Sequence, residues 1–227
     1  MKEGYRLKKY VINGGKPLYG TVNIAGMKNS AVGILPATIL VEGVCRIENV
    51  PNISDVLLWG DILSSLGARV TYLNASTIEV DTSTVRCEEP PYEMMRRMRA
   101  SYYIVGAMLG RYGWARAGMP GGCDFGGRPI DRHIKGFEAL GADVRVENGI
   151  ICATTNGGIK SGNIFFDENS VGATINVMLA AVRAPGLTVI ENASKEPHVV
   201  DVANFLNSMG AVIRGAGTDV IKVRGVE

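Results

Sequence analysis

One thiol stands in the stretch PGGCDFGGRPIDRHIKG, Pro120 to Gly136, among five glycines and just before Arg128 and Pro129. Glycine lets a backbone adopt φ > 0 and approach a ligand closely. The proline marks the start of an amphipathic run that reads as a helix, and a helix start offers free N–H groups and partial positive charge to an anion. A thiol in such surroundings has a lowered pKa, so Cys123 is a candidate acid or nucleophile. The same residues also read as a glycine-rich turn around an ordinary small cysteine.

The bulk numbers narrow the partners. The formal net charge is +2, with 46% hydrophobic and 20% charged residues in 227. That balance argues against nucleic acid or an anionic membrane surface as partner, so any anion must be held by a few placed arginines and lysines. The four cysteines form no CxxC pair and have no companion histidine cluster. Neither a metal site nor a disulfide framework is expected, and no cofactor is called for. The start, MKEGYRLKKY, lacks the apolar core of a signal peptide, and no run reaches the ~18 apolar residues of a membrane span. The reading is a cytoplasmic chain with reduced thiols.

The elements that position the thiol repeat three times. ILSSLGARVTYLNASTIEVD from Ile62, GFEALGADVRVENGIICATT from Gly136 and FLNSMGAVIRGAGTDVIKVR from Phe205 align without gaps. Each is a helix end, Gly-Ala, then two alternating strands. Gly67, Gly141 and Gly210 fall where a helix C-terminus favours φ > 0. Their separation of roughly 70 residues exceeds solenoid periods and indicates domain-scale units. Upstream of each lies a further strand and helix: TVNIAG with KNSAVGILPATIL, a weak strand near Thr84 to Cys87 with YEMMRRMRASYYIVGAMLG, and NIFFD with SVGATINVMLAAVRA. The unit is βαβαββ.

The helices beginning near Lys28, Tyr92 and Ser170 are apolar on nearly every face, which predicts burial. Those beginning near Ile53, Ile130 and His198 are amphipathic and should face solvent, with His198 at the surface. Cys45, Cys87 and Cys152 fall in or beside strands as packing residues. At the position of Cys123 the outer copies carry Asn49 and Asn192. The middle loop departs from its sisters, which favours a functional role for it.

These residues resemble the enolpyruvyl transferases, in the branch that acts on UDP-N-acetylglucosamine. The resemblance rests on AGMKN at Ala25 to Asn29, RRMRAS at Arg96 to Ser101, the cysteine loop through FEALGA, SVGAT at Ser170 to Thr174, IENASKEPHVVD and the closing GAGTDVIKVRGVE. It covers the whole chain. The sister family acting on shikimate 3-phosphate shares the fold but lacks the cysteine loop.

The resemblance implies an α/β fold: an inside-out α/β barrel domain of three βαβαββ repeats with pseudo-threefold symmetry, buried helices surrounded by sheets. The repeats would span about 21–83, 84–156 and 162–227. It implies transfer of the enolpyruvyl group of phosphoenolpyruvate to the 3′-hydroxyl of UDP-N-acetylglucosamine, with phosphate released through a tetrahedral ketal. Cys123 would be the acid at C3 and the site of fosfomycin alkylation. Lys28, Asn29 and Arg128 would hold phosphoenolpyruvate. Arg99, the run Arg128, Pro129, Ile130, Asp131 and Arg132, with His133, and Ser170, Val171 and Gly172 would hold the nucleotide sugar. The chemistry suits these types, since point charge from lysine and bidentate contacts from arginine match a small trianion. Plainer readings stand beside them: Lys28 as a solvated loop lysine, Arg99 as a helix-face ion-pair partner, Ser170 as an N-cap, His133 as a structural helix histidine.

The chain departs from that family in places. Glu168-Asn169 precede SVGAT where a lysine or proline is frequent, and a glutamate repels a diphosphate unless turned away. Arg132 replaces a frequent apolar residue, and Asp124-Phe125 replace small ones. Family members are roughly twice as long, with a second domain of the same architecture closing over the site. Residues 1–20 would be a strand of that second domain. The alternatives are a non-catalytic nucleotide-sugar module and a transferase with another acceptor.

Overall fold

The computed structural model describes residues 9–121 and 130–226. Cys123, Arg128 and Pro129 lie outside the described residues, and so does the rest of 122–129. The chain order is α1 (Lys28–Ala37), β1 (Val44–Ile47), α2 (Ser54–Ser65), β2 (Arg69–Asn74) and β3 (Thr77–Asp81). A second set follows with α3 (Tyr92–Met95), α4 (Tyr103–Tyr112), β4 (Trp114–Gly118), α5 (Asp131–Ala139), β5 (Ala142–Glu147) and β6 (Ile150–Thr155). The third is β7 (Asn163–Phe165), α6 (Val171–Ala181), β8 (Leu187–Glu191), α7 (Pro197–Ser208), β9 (Val212–Arg214) and β10 (Val220–Arg224).

Each set builds one sheet, in the orders β1-β3-β2, β4-β6-β5 and β7-β8-β10-β9. In every sheet the last strand of the set pairs antiparallel with both neighbours, as in Cys45↔Val80, Ala117↔Ile151 and Ile190↔Ile221. The helices α1, α4 and α6 lie inside. They are apolar round the whole circumference, so their burial removes several large side chains from water, each contributing roughly 1.5–3 kcal/mol. Helix α4 packs against α6 and α1, while α2 and α7 cover α1 and α5 covers α6. This is an inside-out α/β fold, with helices at the centre and sheets around them.

The three C-cap glycines behave alike, with φ of 95°, 83° and 101° at Gly67, Gly141 and Gly210. The sister loops of the cysteine loop also match each other: Asn49 and Asn192 both take φ > 0, at 56° and 54°. Asparagine tolerates that region better than most residues, which gives the outer copies a structural reason for theirs.

Two expectations fail. The opening strand of the unit forms only in the third set, where β7 pairs parallel with β8 and Ile164 and Phe166 turn inward. TVNIAG has the right alternation but no ladder, and Val22 and Ile24 stay 80% and 87% exposed. Near Thr84 to Cys87 the backbone donors are used elsewhere: Val85 N–H bonds the Thr82 carbonyl and Arg86 N–H the Leu66 carbonyl. Cys87 accordingly sits outside any strand and is exposed, whereas Cys45 is buried in β1 and Cys152 half-buried in β6.

The helix expected from Tyr92 is also broken. A single turn, α3, is followed by extended Met98, a 3₁₀ turn over Arg99–Tyr102, then α4. Arg96 and Arg97 cannot be buried along an inner helix without partners, and both stay exposed. The buried Ser101 hydroxyl closes the break, its one proton shared between the Met95 and Met98 carbonyls, each 2.7 Å away.

Candidate functional site: a cleft at five helix starts

The break before α4 has a consequence for the site. It brings Arg99, Ala100, Tyr102 and Tyr103 to the N-terminal end of an inner helix. Asn29 and Val32 lie in the first turns of α1, Ile130 and His133 at the start of α5, Val171 and Gly172 at the start of α6, and Glu196 and His198 at the start of α7. With Pro120, these residues line one open cleft of about 410 Å³, a size typical of small-molecule sites. Five helix starts therefore face one space. Helix starts carry partial positive charge and, where uncapped, free N–H groups, so together with Arg99 they favour an anion in the cleft, against the one carboxylate among the described lining residues, Glu196.

His133 anchors one wall and is 7% exposed. Burial first, and the neighbouring Arg99 cation second, push its imidazole down from 6.5 to about 3, so the ring is neutral at physiological pH. Tyr102 packs edge-on against it, with ring centroids 4.6 Å apart. A Cβ added at Gly172 would come within 3.0 Å of His133 Cε1 and Nε2, so the ring's far edge abuts the start of α6. Ser170 caps that helix by accepting from the Ala173 N–H at 3.3 Å.

The cleft also carries unmet polar groups. The Tyr102 hydroxyl, Glu196 Oε2 and His198 Nδ1 are buried without a hydrogen-bond partner among the described residues. Burial raises the Tyr102 phenol and carries Tyr103 up to about 12, against the lowering effect of Arg99. Burial also lowers His198, opposed by Glu196 and Asp201. His198 was expected at the surface; it is only 8% exposed, because the first turn of α7 that carries it packs at the cleft.

Of the expected site residues, Asn29, Arg99, Ile130, His133, Val171 and Gly172 share the cleft. Others do not line it. Lys28 begins α1, but its Nζ lies 2.6 Å from Asp55 Oδ2. Arg132 points to Glu168, and Lys135 reaches Asp167 at 2.8 Å. Glu168 is thus occupied by a cation, which answers the repulsion expected from it. Tyr102, Tyr103 and Glu196 were missed by sequence reasoning. The signal for Glu196 was available in Glu-Pro-His, an N-cap position followed by proline at the first helical residue.

Fold and cleft together define an enolpyruvyl-transferase-type domain. The chain belongs to the family described as EPSP synthase (3-phosphoshikimate 1-carboxyvinyltransferase), which matches residues 12–227. Among curated proteins it is 56% identical over 222 residues to a UDP-N-acetylglucosamine 1-carboxyvinyltransferase of Clostridium botulinum, covering 97% of this chain and 53% of the relative. A second such protein, from Clostridium acetobutylicum, is 54% identical over the same length. The chain spans about half the length of the curated relatives it matches. Among solved structures, the enolpyruvyl transferase NikO from Streptomyces tendae superposes with a TM-score of 0.80 at 26% identity, over 94% of this chain and 50% of that one. EPSP synthase from Acinetobacter baumannii superposes at 0.68 with 16% identity, over 92% of this chain and 47% of that one, a likeness of fold. No helix among the described residues is long and apolar enough to cross a membrane.

Proposed function

We propose that this chain is the cysteine-loop half of a UDP-N-acetylglucosamine 1-carboxyvinyltransferase, whose second domain completes the cleft. The observation that carries the reading is the convergence of Arg99, His133 and the Ser170-Val171-Gly172 helix start on one anion-favouring space, in a chain so similar to those enzymes. The nucleotide diphosphate lies against the start of α6 and Arg99, where N–H groups and guanidinium meet it without a bound metal. His133, Ile130, Asp131 and Arg132 border the sugar nucleotide, with Arg128 and Pro129 from the loop.

Phosphoenolpyruvate sits by Asn29, Lys28 and Arg128. Lys28 must then exchange its Asp55 partner for the phosphate. The pair it leaves joins an exposed lysine to a half-buried aspartate, and breaking it costs on the order of 1 kcal/mol. Cys123 delivers a proton to C3 as the sugar 3′-oxygen adds to C2; loss of a C3 proton and of phosphate from the ketal completes the transfer. Repeats at about 21–83, 84–156 and 162–227, and a role for residues 1–20 in the second domain, belong to the same reading.

The test combines turnover, binding and labelling of the chain as it stands. Expected are little or no phosphate release from phosphoenolpyruvate plus UDP-N-acetylglucosamine, weak calorimetric binding of UDP-N-acetylglucosamine that Arg99→Ala abolishes, and fosfomycin adduction at Cys123 by mass spectrometry. Turnover at the rate of a full-length enzyme refutes the need for a second half. Tight binding without labelling favours a non-catalytic module, and no binding at all refutes the site.

A further inference from the structure

Asn176 lies at the centre of the inner helices, fully buried on α6. Its orientation is fixed by what it touches. The Gly106 N–H donates to its Oδ1 at 2.8 Å, and its Nδ2 donates to the Tyr102 carbonyl at 3.0 Å. A backbone N–H only donates and a carbonyl only accepts, so the amide cannot be turned over. The remaining Nδ2 proton points at His133 Nδ1, 3.1 Å away. That nitrogen must therefore accept, and the ring's proton sits on the other one.

We propose that Asn176 is a positioning residue that locks His133 as its Nε2–H tautomer, so that the ring offers a neutral donor to an anionic ligand oxygen at the start of α6. The ligand half of the inference rests on reading the cleft as a diphosphate site; the tautomer half does not. Nε2 abuts Gly172, the second residue of α6, beside the N–H groups that a diphosphate would use. The reverse tautomer would set an Nδ1–H against the Asn176 amide protons and turn a lone pair toward the anion. An imidazolium would add a second cation beside Arg99 and the positive helix end, at the cost of burial. The groups facing the ring are Arg99 and Tyr102 from the turn before α4 and Gly172 and Asn176 from α6, with Glu196 and His198 elsewhere on the same cleft; of these only Glu196 would favour an imidazolium, and Arg99 opposes it.

Long-range ¹H–¹⁵N correlation of histidine ring nitrogens in the unliganded chain tests the lock directly. Expected is a His133 proton on Nε2, a bare Nδ1, and no titration between pH 8 and 5. Asn176→Asp keeps an acceptor for Gly106 but replaces the donor facing Nδ1 with a carboxylate. It should move the proton to Nδ1, bring the ring into the observable titration range, and weaken UDP-N-acetylglucosamine binding about tenfold or more, as for loss of one hydrogen bond to a charged group. A wild-type proton on Nδ1, or titration of His133 near neutral pH, overturns the lock and leaves the functional reading intact. A proton on Nε2 with no binding of UDP-N-acetylglucosamine or pyrophosphate overturns the ligand half and the functional reading together.

Discussion

Helices α4 and α6 approach each other closely at Gly106, and Gly106→Ala probes that contact. A Cβ there would lie 3.0 Å from the Asn176 carbonyl carbon and nearer still to both Asn176 oxygens. One of those is backbone, so no side-chain rotation relieves the clash; the helices must part. Overpacking of this kind costs about 1–3 kcal/mol. Stretching the bond from the Gly106 N–H to Asn176 Oδ1 adds about 1 kcal/mol. The gain in helix propensity from glycine to alanine offsets about 1 kcal/mol. A net loss of about 1–3 kcal/mol is expected, lowering Tm by about 2–12 °C in a chain of this size. Gly60→Ala in α2 is the matched control. There the near atoms belong to the hydroxyl end of Tyr72, a side chain about half exposed and free to swing. That variant should stay within about 0.5 kcal/mol of the parent or exceed it. Urea denaturation of the three proteins decides the matter. A Gly106→Ala chain as stable as the parent would refute the claim that contact of α4 with α6 requires a bare backbone.

Acid should destabilise the chain earlier than carboxylate titration alone. His133 is near 3 when folded and about 6.5 when unfolded, so between those values only the unfolded state takes the proton, and stability falls as pH falls. The slope is at most about 1.4 kcal/mol per pH unit for one group, and urea midpoints from pH 7 to 5 should show a loss that His133→Gln reduces, the remainder coming from His198, which burial also lowers. Ser170→Ala should cost about 1 kcal/mol through the lost α6 cap, read by thermal unfolding. Cys45, whose thiol burial pushes up to about 11, should resist iodoacetamide at pH 8 in the folded chain and react once urea unfolds it; ready labelling in the folded chain would contradict its packing.

Much of the fold was legible because its signals are local and repeated. Three apolar helices, three amphipathic ones and three Gly-Ala turns each carry their own periodicity or φ requirement, and three copies reinforce one another. The misses came where a local pattern needed a distant partner. TVNIAG alternates like a strand, yet a strand exists only when another backbone accepts its bonds. YEMMRRMRASYY reads as a continuous helix until burial forces Arg96 and Arg97 to leave it.

The site divides in the same way. The family resemblance marked Arg99, His133, Ser170 and Gly172, and the departure of the Cys123 loop from its two sisters marked that loop. What the sequence could not contain was direction. Only tertiary packing aims five helix starts at one cleft, turns His198 and Glu196 inward, pairs Lys28 with Asp55 and Arg132 with Glu168, and fixes which nitrogen of His133 bears the proton. Each of these depends on residues tens to more than a hundred positions apart, brought together by burial of apolar helix faces that fixes distance and orientation at once.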